Sequence, residues 1–276
     1  MSEYLFTDFT GYTLAQLCEM HNSSFSGYFV PNQATPQVFA DFWRIYQVDA
    51  CSSVNMHDQE GAFVGQVRLA RRGKRGWCGG FGVAPAFRGR GLSGLLAKRM
   101  LETAREAGLE TLQLEVLTQN TPAIKAYEKA GFTTRRRLLG LEVALEKLPE
   151  APVLHVERVP LETLLPWLGQ NDVTQSWQRE LATLFVQEVE TFVAPGPGGG
   201  MNGLVIQRGG GKARIQAAVV QSALTDSELL GLLREVAGDC SGIQIYNEPE
   251  DSPLLKRYLR LGFTEFFTQH EMFIRL

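Results

Sequence analysis

Cysteine and histidine are scarce, four of each in 276 residues. The cysteines, at 18, 51, 78 and 240, form no Cys-x-x-Cys pair and cluster with no histidine. Neither a metal site nor a disulfide framework is therefore expected, and a reducing, cytoplasmic setting fits. Excess charge is also missing: the formal charge is −3 and the pI near 5.9, which gives no general basic field for nucleic acid. The local basic runs, Arg71, Arg72, Lys74, Arg75 and Arg135 to Arg137, read as solvated turns and strand edges. No apolar run approaches the roughly 20 residues of a membrane helix. The first residues, Met-Ser-Glu-Tyr, carry neither the basic nor the apolar part of a signal peptide. What is present, 44% hydrophobic and 21% charged residues, is material for two ordinary globular domains or one large one.

The most informative stretch runs from Val83 to Gly94, Val-Ala-Pro-Ala-Phe-Arg-Gly-Arg-Gly-Leu-Ser-Gly. Glycines at 89, 91 and 94 allow a ligand close to the backbone. A helix that starts here leaves free N–H groups and a partial positive charge, and Arg88 and Arg90 add full charges suited to phosphate oxygens. A pyrophosphate ligand is expected. Residues 89 to 94 also spell Gly-x-Gly-x-x-Gly, with Glu110 near the spacing of a ribose-binding acid. That dinucleotide fingerprint needs a strand running directly into the first glycine, whereas five residues including a proline intervene here.

Periodicity and caps give the surrounding order. A strand is predicted near 4–8, a helix over about 13–24, and a second helix opened by Thr35 and Pro36 with Phe39, Phe42, Trp43 and Tyr46 on its apolar face. Extended segments at about 51–57, 62–70 and 76–83, separated by turn residues, predict an antiparallel meander. The helix after the cradle ends at Gly108, and a strand over 111–117 is expected to pair in parallel with the one before it. Thr121 and Pro122 announce the next helix, which closes at Gly131.

The same construction recurs 131 residues later. Over 111–134 and 242–265 seven residues are identical, among them Pro122 with Pro253, Tyr127 with Tyr258 and Gly131-Phe132-Thr133 with Gly262-Phe263-Thr264. Thr121 faces Ser252 in this alignment. Two copies of one domain follow, 1–148 and 149–276, with the boundary in the Leu-Pro-Glu-Ala-Pro stretch. Continuing the offset places Val219 to Thr225 opposite the cradle, without glycine or arginine. The second copy is expected to keep the fold, including a helix near 226–237, and to lack the phosphate site. Residues 195–203 are expected to form a mobile loop, and 209–211 a hairpin turn.

Meander, Arg-Gly-Arg-Gly-Leu-Ser-Gly at a helix start, strand, then Gln-Asn-Thr-Pro-Ala-Ile-Lys-Ala-Tyr-Glu-Lys-Ala-Gly-Phe: in this order the chain resembles the GNAT family of acetyl-CoA-dependent N-acetyltransferases. The likeness covers about 3–145, and 152–276 resembles a degenerate second copy. It implies an α/β fold of the α+β mixed-sheet kind: two tandem domains, each with a mixed, mainly antiparallel central sheet and helices on both faces. The family's Arg/Gln-x-x-Gly-x-Gly/Ala loop corresponds to Arg88, Gly91 and, at the last position, Ser93. The resemblance implies that the amides from Arg88 through Gly89, Arg90, Gly91 and Leu92 to Ser93 hold the CoA pyrophosphate. Phe81, Gly82 and Val83 would then line the pantetheine arm, and the Val83 amide would polarise the thioester carbonyl. Asn120 would contact the arm, Ala123 would let it pass, and Tyr127 would protonate the leaving thiolate as general acid.

The base stays open among Glu115, Glu142, His21, His57 and a water chain, because the strand 77–83 carries no carboxylate. Two functions are carried forward. One is acetyl transfer from acetyl-CoA, without a metal, to a small-molecule or peptide primary amine in a ternary complex, by a monomer or homodimer with no nucleic-acid or membrane partner. The other is a CoA-binding sensor or scaffold without turnover. Phe25, Tyr28, Phe29, Phe39, Phe42 and Trp43 suggest an aromatic acceptor lining.

Overall fold

The computed structural model describes residues 4–29, 32–170, 173–196 and 200–276. The chain falls into two compact units, one of Met1–Arg135 with His270–Leu276, the other of Arg136–Gln269. In chain order the first contains β1 (Tyr4–Thr7), α1 (Leu14–Ser24), α2 (Pro36–Tyr46), β2 (Val54–Asp58), β3 (Phe63–Arg72), β4 (Arg75–Val83), α3 (Leu92–Glu106), β5 (Thr111–Leu117) and α4 (Thr121–Lys129). Strand β6 (Thr133–Ala144) runs into the second unit, where β7 (Glu157–Val159), α5 (Leu165–Leu168), α6 (Leu181–Leu184), β8 (Glu190–Pro195), β9 (Met201–Gly209), β10 (Lys212–Val219), α7 (Asp226–Ala237), β11 (Gly242–Pro249) and α8 (Leu255–Arg260) follow. Strand β12 (Thr264–Arg275) starts there and ends in the first unit. Among the described residues no helix is long and apolar enough to cross a membrane.

In the first unit the strand order is β1-β2-β3-β4-β5-β12. The neighbouring strands from β1 to β4 pair antiparallel, and β4 pairs with β5 in parallel. Local chemistry starts the helices. Thr13 and Gln16 form a capping box on α1, and the Thr35 hydroxyl caps α2 with Pro36 in its first turn. One face of the sheet packs Leu96, Met100 and Ala104 of α3 on Val64, Leu112 and Leu114; a second cluster holds Phe9, Leu17, Cys18 and Phe39.

The second unit has the order β12-β6-β11-β10-β9-β8-β7, and β10 pairs with β11 in parallel as β4 does with β5. The correspondence extends to irregularities. Gly79 is the extra residue of β4 between Arg68↔Gly80 and Leu69↔Cys78, and Gln216 is the extra residue of β10 at the same register position. By strand register β10 lies 137 residues after β4. Both the connection from β10 to α7 and α7 itself are shorter than their counterparts after β4, so ungapped extension of the repeat misplaces this part of the second copy by several residues.

Some expectations change. The sequence repeat sets the boundary at 148/149, whereas the compact units divide at 135/136 and return 270–276 to the first. The reason is strand pairing: Leu138 to Ala144 of β6 pair with β11, while Met272 is buried in the first unit's core and the Leu276 amide donates to Glu110 O at 3.0 Å. Each sheet is completed by a closing strand encoded in the other copy. Asn120, not Thr121, caps α4, with Thr121 and Pro122 already helical. The helix matching α4 starts only at Leu255, because the Ser252 hydroxyl accepts from the Leu254 amide (3.2 Å) in a preceding turn. Of the loop expected over 195–203, residues 197–199 lie outside the described residues, and its ends belong to β8 and β9. The hairpin turn at 209–211 is present, with positive φ at Gly210 and Gly211.

Candidate active site

Strands β4 and β5 stay in parallel register as far as Cys78↔Leu114 and then part. The Ala84 amide donates to Val64 O at 2.9 Å. Alternation along an antiparallel pair then turns the N–H groups of Val83 and Phe81 to the opposite edge, into the fork that β5 has left. Gly82 fits because α1 ends against it: a Cβ there would come within 2.8 Å of Ser24 Cβ.

Beyond the fork, Pro85–Phe87 make a tight turn, and the Arg88 amide donates to Pro85 O. The Gly94 amide donates to Gly91 O. Between them, the amides of residues 89 to 93 donate to no carbonyl outside their own helix among the described residues, and Leu92 and Ser93 stand too early in α3 for an i−4 partner. Gly89 (φ 77°) and Gly91 (φ 75°) are in the left-handed region, a geometry that turns successive amides into one concavity. A Cβ at Gly89, Gly91 or Gly94 would meet nothing within 4 Å, so this concavity is open. No acidic residue stands in the first turn of α3. Arg90 lies over the Phe87 ring at 5.3 Å. The Arg88 side chain turns back, its Nε donating to Val83 O (2.9 Å) and its Nη2 to Ser24 O (3.0 Å) and Ser26 O (2.8 Å).

The other wall comes from α4. The Asn120 side chain caps it by accepting from the Ala123 amide (3.3 Å). Tyr127, 6% exposed, makes edge contacts with Phe81 and Phe132, with ring centres 5.5 and 5.7 Å apart. Burial pushes its phenol pKa well above the ordinary value, and nearby Cys78 and Tyr28 act in the same direction. Burial likewise pushes the Cys78 thiol up to about 12. Tyr28, which the sequence marked only as aromatic lining, is brought beside Asn120 by the turn after α1. Burial raises its pKa, and the Asn120 side chain draws it partly back. Its own neighbours in sequence, Phe25 and Phe29, give no sign of this placement, since Asn120 and Tyr127 lie some ninety residues away.

The candidate bases separate. Leu112, Leu114 and Val116 of β5 point into the core beneath α3, so Glu115 faces the other side, at the first position past the parallel register. There the Trp77 indole N–H donates to its Oε2 at 2.6 Å. His21 is 2% exposed and bonded through Nδ1 to Arg68 Nη1 (2.9 Å). Burial and the Arg68 charge lower its pKa to about 3, which leaves it neutral. The His57 ring is held by the Tyr12 hydroxyl and Gly61 O, and Glu142 belongs to the second unit, where it accepts from Gln244. Arg68 itself was not anticipated from sequence. It is 3% exposed, lies within 5.7 Å of the ring centres of Phe25, Phe39 and Phe42, and donates to Gly79 O at 3.1 Å. Gly80 is required beside it, because a Cβ there would lie 2.2 Å from the guanidinium.

The corresponding fork of the second unit is bridged. Arg179 donates through Nε to Gln216 O of β10 (3.1 Å), and through Nη1 to Asn247 O (3.4 Å) and the Glu248 carboxylate of β11. Thr225 and Glu228 form a capping box on α7, and Asp226 and Glu228 put acid at the helix start where α3 has none. A cavity of about 570 Å³ remains beside these groups, lined by Arg179, Glu248, Asp226 and Arg257 among others. Tyr258 repeats the packing of Tyr127, with Phe263 at 5.3 Å, and among the described residues its hydroxyl has no hydrogen-bond partner.

Fold and fork together define a tandem mixed-sheet α/β protein in which the first copy keeps an unbridged fork and left-handed glycines at the following helix start. Residues 14–132 match the acetyltransferase (GNAT) family, and the chain belongs to that family. It is 31% identical over 105 residues to an acetyltransferase of Yersinia enterocolitica, covering 35% of this chain and 74% of that protein. It is 43% identical over 63 residues, 23% of this chain, to streptothricin acetyltransferase of Streptomyces lavendulae, of whose length the match spans 31%. Among solved structures, a tandem GNAT protein of the clavulanic acid biosynthesis pathway has the same fold across both halves, with a TM-score of 0.67 and 16% identity over 99% of this chain and 98% of that one.

Proposed function

We propose that the first copy, residues 1–148 by the sequence repeat, transfers acetyl from acetyl-CoA to a primary amine by direct attack in a ternary complex. The observation that carries this reading is the open edge of β4, with the Val83 and Phe81 N–H groups turned into the fork next to the amides of residues 89 to 93. The residues suit the donor: an open concavity of amides without acid for a pyrophosphate, and a strand edge that turns the Phe81 and Val83 N–H groups toward an amide-bearing arm while Arg88 holds Val83 O. Gly89 to Ser93 would hold the pyrophosphate with Arg90 beside it; Phe81, Gly82, Val83, Asn120 and Ala123 would line the arm. Bound acetyl-CoA supplies the activated acyl group. The Val83 N–H stabilises negative charge on the reacting carbonyl oxygen. Tyr127, whose raised pKa keeps it protonated at neutral pH, donates a proton to the departing sulfur. Glu115, oriented by the Trp77 indole, accepts the proton of the amine. The acceptor is a small-molecule or peptide amine, and the protein works in the cytoplasm.

Thiol release from acetyl-CoA across a panel of primary amines tests the reading. Amine-dependent release is expected, and Tyr127→Phe lowers kcat about a hundredfold while the Kd for CoA changes less than about threefold. Tight CoA binding with no amine-stimulated release would favour the sensor.

A further inference from the structure

The Arg88 side chain points away from the cradle that its own backbone opens. Its Nε donates to Val83 O at the end of β4, and its Nη2 donates to two carbonyls of α1 and the turn after it, Ser24 O and Ser26 O. Ser24 O is one of the carbonyls that a helix leaves unpaired at its C-terminus, where the helix dipole also favours a cation. The approach is close because residue 82 is glycine. The same turn carries Tyr28, whose phenol interacts with Asn120 and stands near Tyr127. One guanidinium therefore joins three parts of the site: the start of the cradle loop, the strand whose N–H groups face the fork, and the turn that brings Tyr28 to the reacting centre.

We propose that Arg88 is a positioning residue that couples occupancy of the cradle to the placement of the turn at residues 24–29, so that donor binding presets the acceptor wall. The inference rests on the cradle holding the acyl donor. A ligand that draws the amides of Gly89 to Ser93 together moves the base of the Arg88 side chain, and three hydrogen bonds carry that movement to Val83 and α1. Phosphate recognition is left to the backbone amides and Arg90. Tyr28 becomes a specificity-determining residue whose placement depends on the donor.

The test uses the full chain, with CoA as probe, in wild type, Arg88→Lys and Arg88→Gln. Kd is measured by calorimetry, and hydrogen exchange of residues 24–29 is followed with and without CoA. Lysine keeps the charge but cannot reach three carbonyls. In wild type, CoA is expected to slow exchange in the turn at least threefold. Both variants are expected to bind CoA within about fivefold of wild type and to lose that protection alike. If Arg88→Lys binds as wild type while Arg88→Gln loses tenfold or more, the side chain acts on phosphate and the coupling is overturned. Wild type that binds CoA with an unresponsive turn also overturns the coupling, leaving the donor site standing. Wild type that does not bind CoA removes the donor site and the coupling with it. Exchange in α3, away from the clamp, reports whether each variant is folded.

Discussion

Replacing Gly91 by alanine separates the cradle from the fold, because Gly108 provides a matched control at the other end of α3. Gly91 has φ 75° and Gly108 φ 72°, and a Cβ at either meets nothing within 4 Å. Both substitutions therefore impose the same left-handed strain, roughly 1–2 kcal/mol, partly offset by about 0.5 kcal/mol from a stiffer unfolded chain. Each should lower stability by about 1 kcal/mol, seen as a fall in Tm of about 2–4 °C. Their effects on donor binding should differ. If the amides of residues 89 to 93 hold phosphate, a methyl group on Gly91 between them displaces two charge-assisted hydrogen bonds, at a cost of about 3 kcal/mol, roughly a hundredfold in Kd. Gly108→Ala should leave CoA affinity unchanged. Urea or thermal unfolding and calorimetric titration of both variants supply the comparison. If the two proteins bind CoA equally well, the concavity at Gly89 to Ser93 is not the pyrophosphate site. Equal loss in both would point to strain in α3 rather than to a steric block.

Two further outcomes concern the buried polar groups. Arg179→Met leaves Glu248, 2% exposed, without its guanidinium, and should cost the second unit about 3–5 kcal/mol. Arg179→Met with Glu248→Gln should recover most of that loss in urea unfolding, and a cost under about 1 kcal/mol for the single variant would show that the bridge across β10 and β11 is not maintained. His21 titrates near 6.5 when unfolded and at about 3 when folded, so the unfolded chain takes up its proton first on acidification. Its contribution to stability is full above pH 6.5 and falls between there and about pH 3, by about 2 kcal/mol at pH 5. His21→Gln should flatten this decline in unfolding measured at pH 7 and pH 5, and parallel profiles would sink the assignment.

Much of the local order was legible in the sequence. Thr13, Thr35 and the glycines at 108, 131 and 262 act within a turn or two of where they stand, and the helix over 226–237 falls where its pattern places it. The loop before α3 belongs to the same group, because the left-handed glycines at 89 and 91 are a short-range device. The repeat was visible for the same reason, though its register slipped where the connection to α7 is shorter. Expectations were displaced where an interaction crosses many residues. The surroundings of Glu115, His21, His57 and Glu142 are set by bonds to Trp77, Arg68, Tyr12 and Gln244, all far away in the chain.

By itself, then, the sequence determined two copies of a mixed-sheet domain, with left-handed glycines opening a helix in the first and a capping box in the same place in the second. Caps, periodicity and backbone-permissive glycines are properties of short segments and survive being read in one dimension. Tertiary structure alone decided that the closing strands are exchanged, that Arg88 grips α1 rather than facing the cradle, and that Arg179 bridges the second fork. A long cation takes the carbonyls that packing brings within reach, and those lie 5 to 68 residues away along the chain.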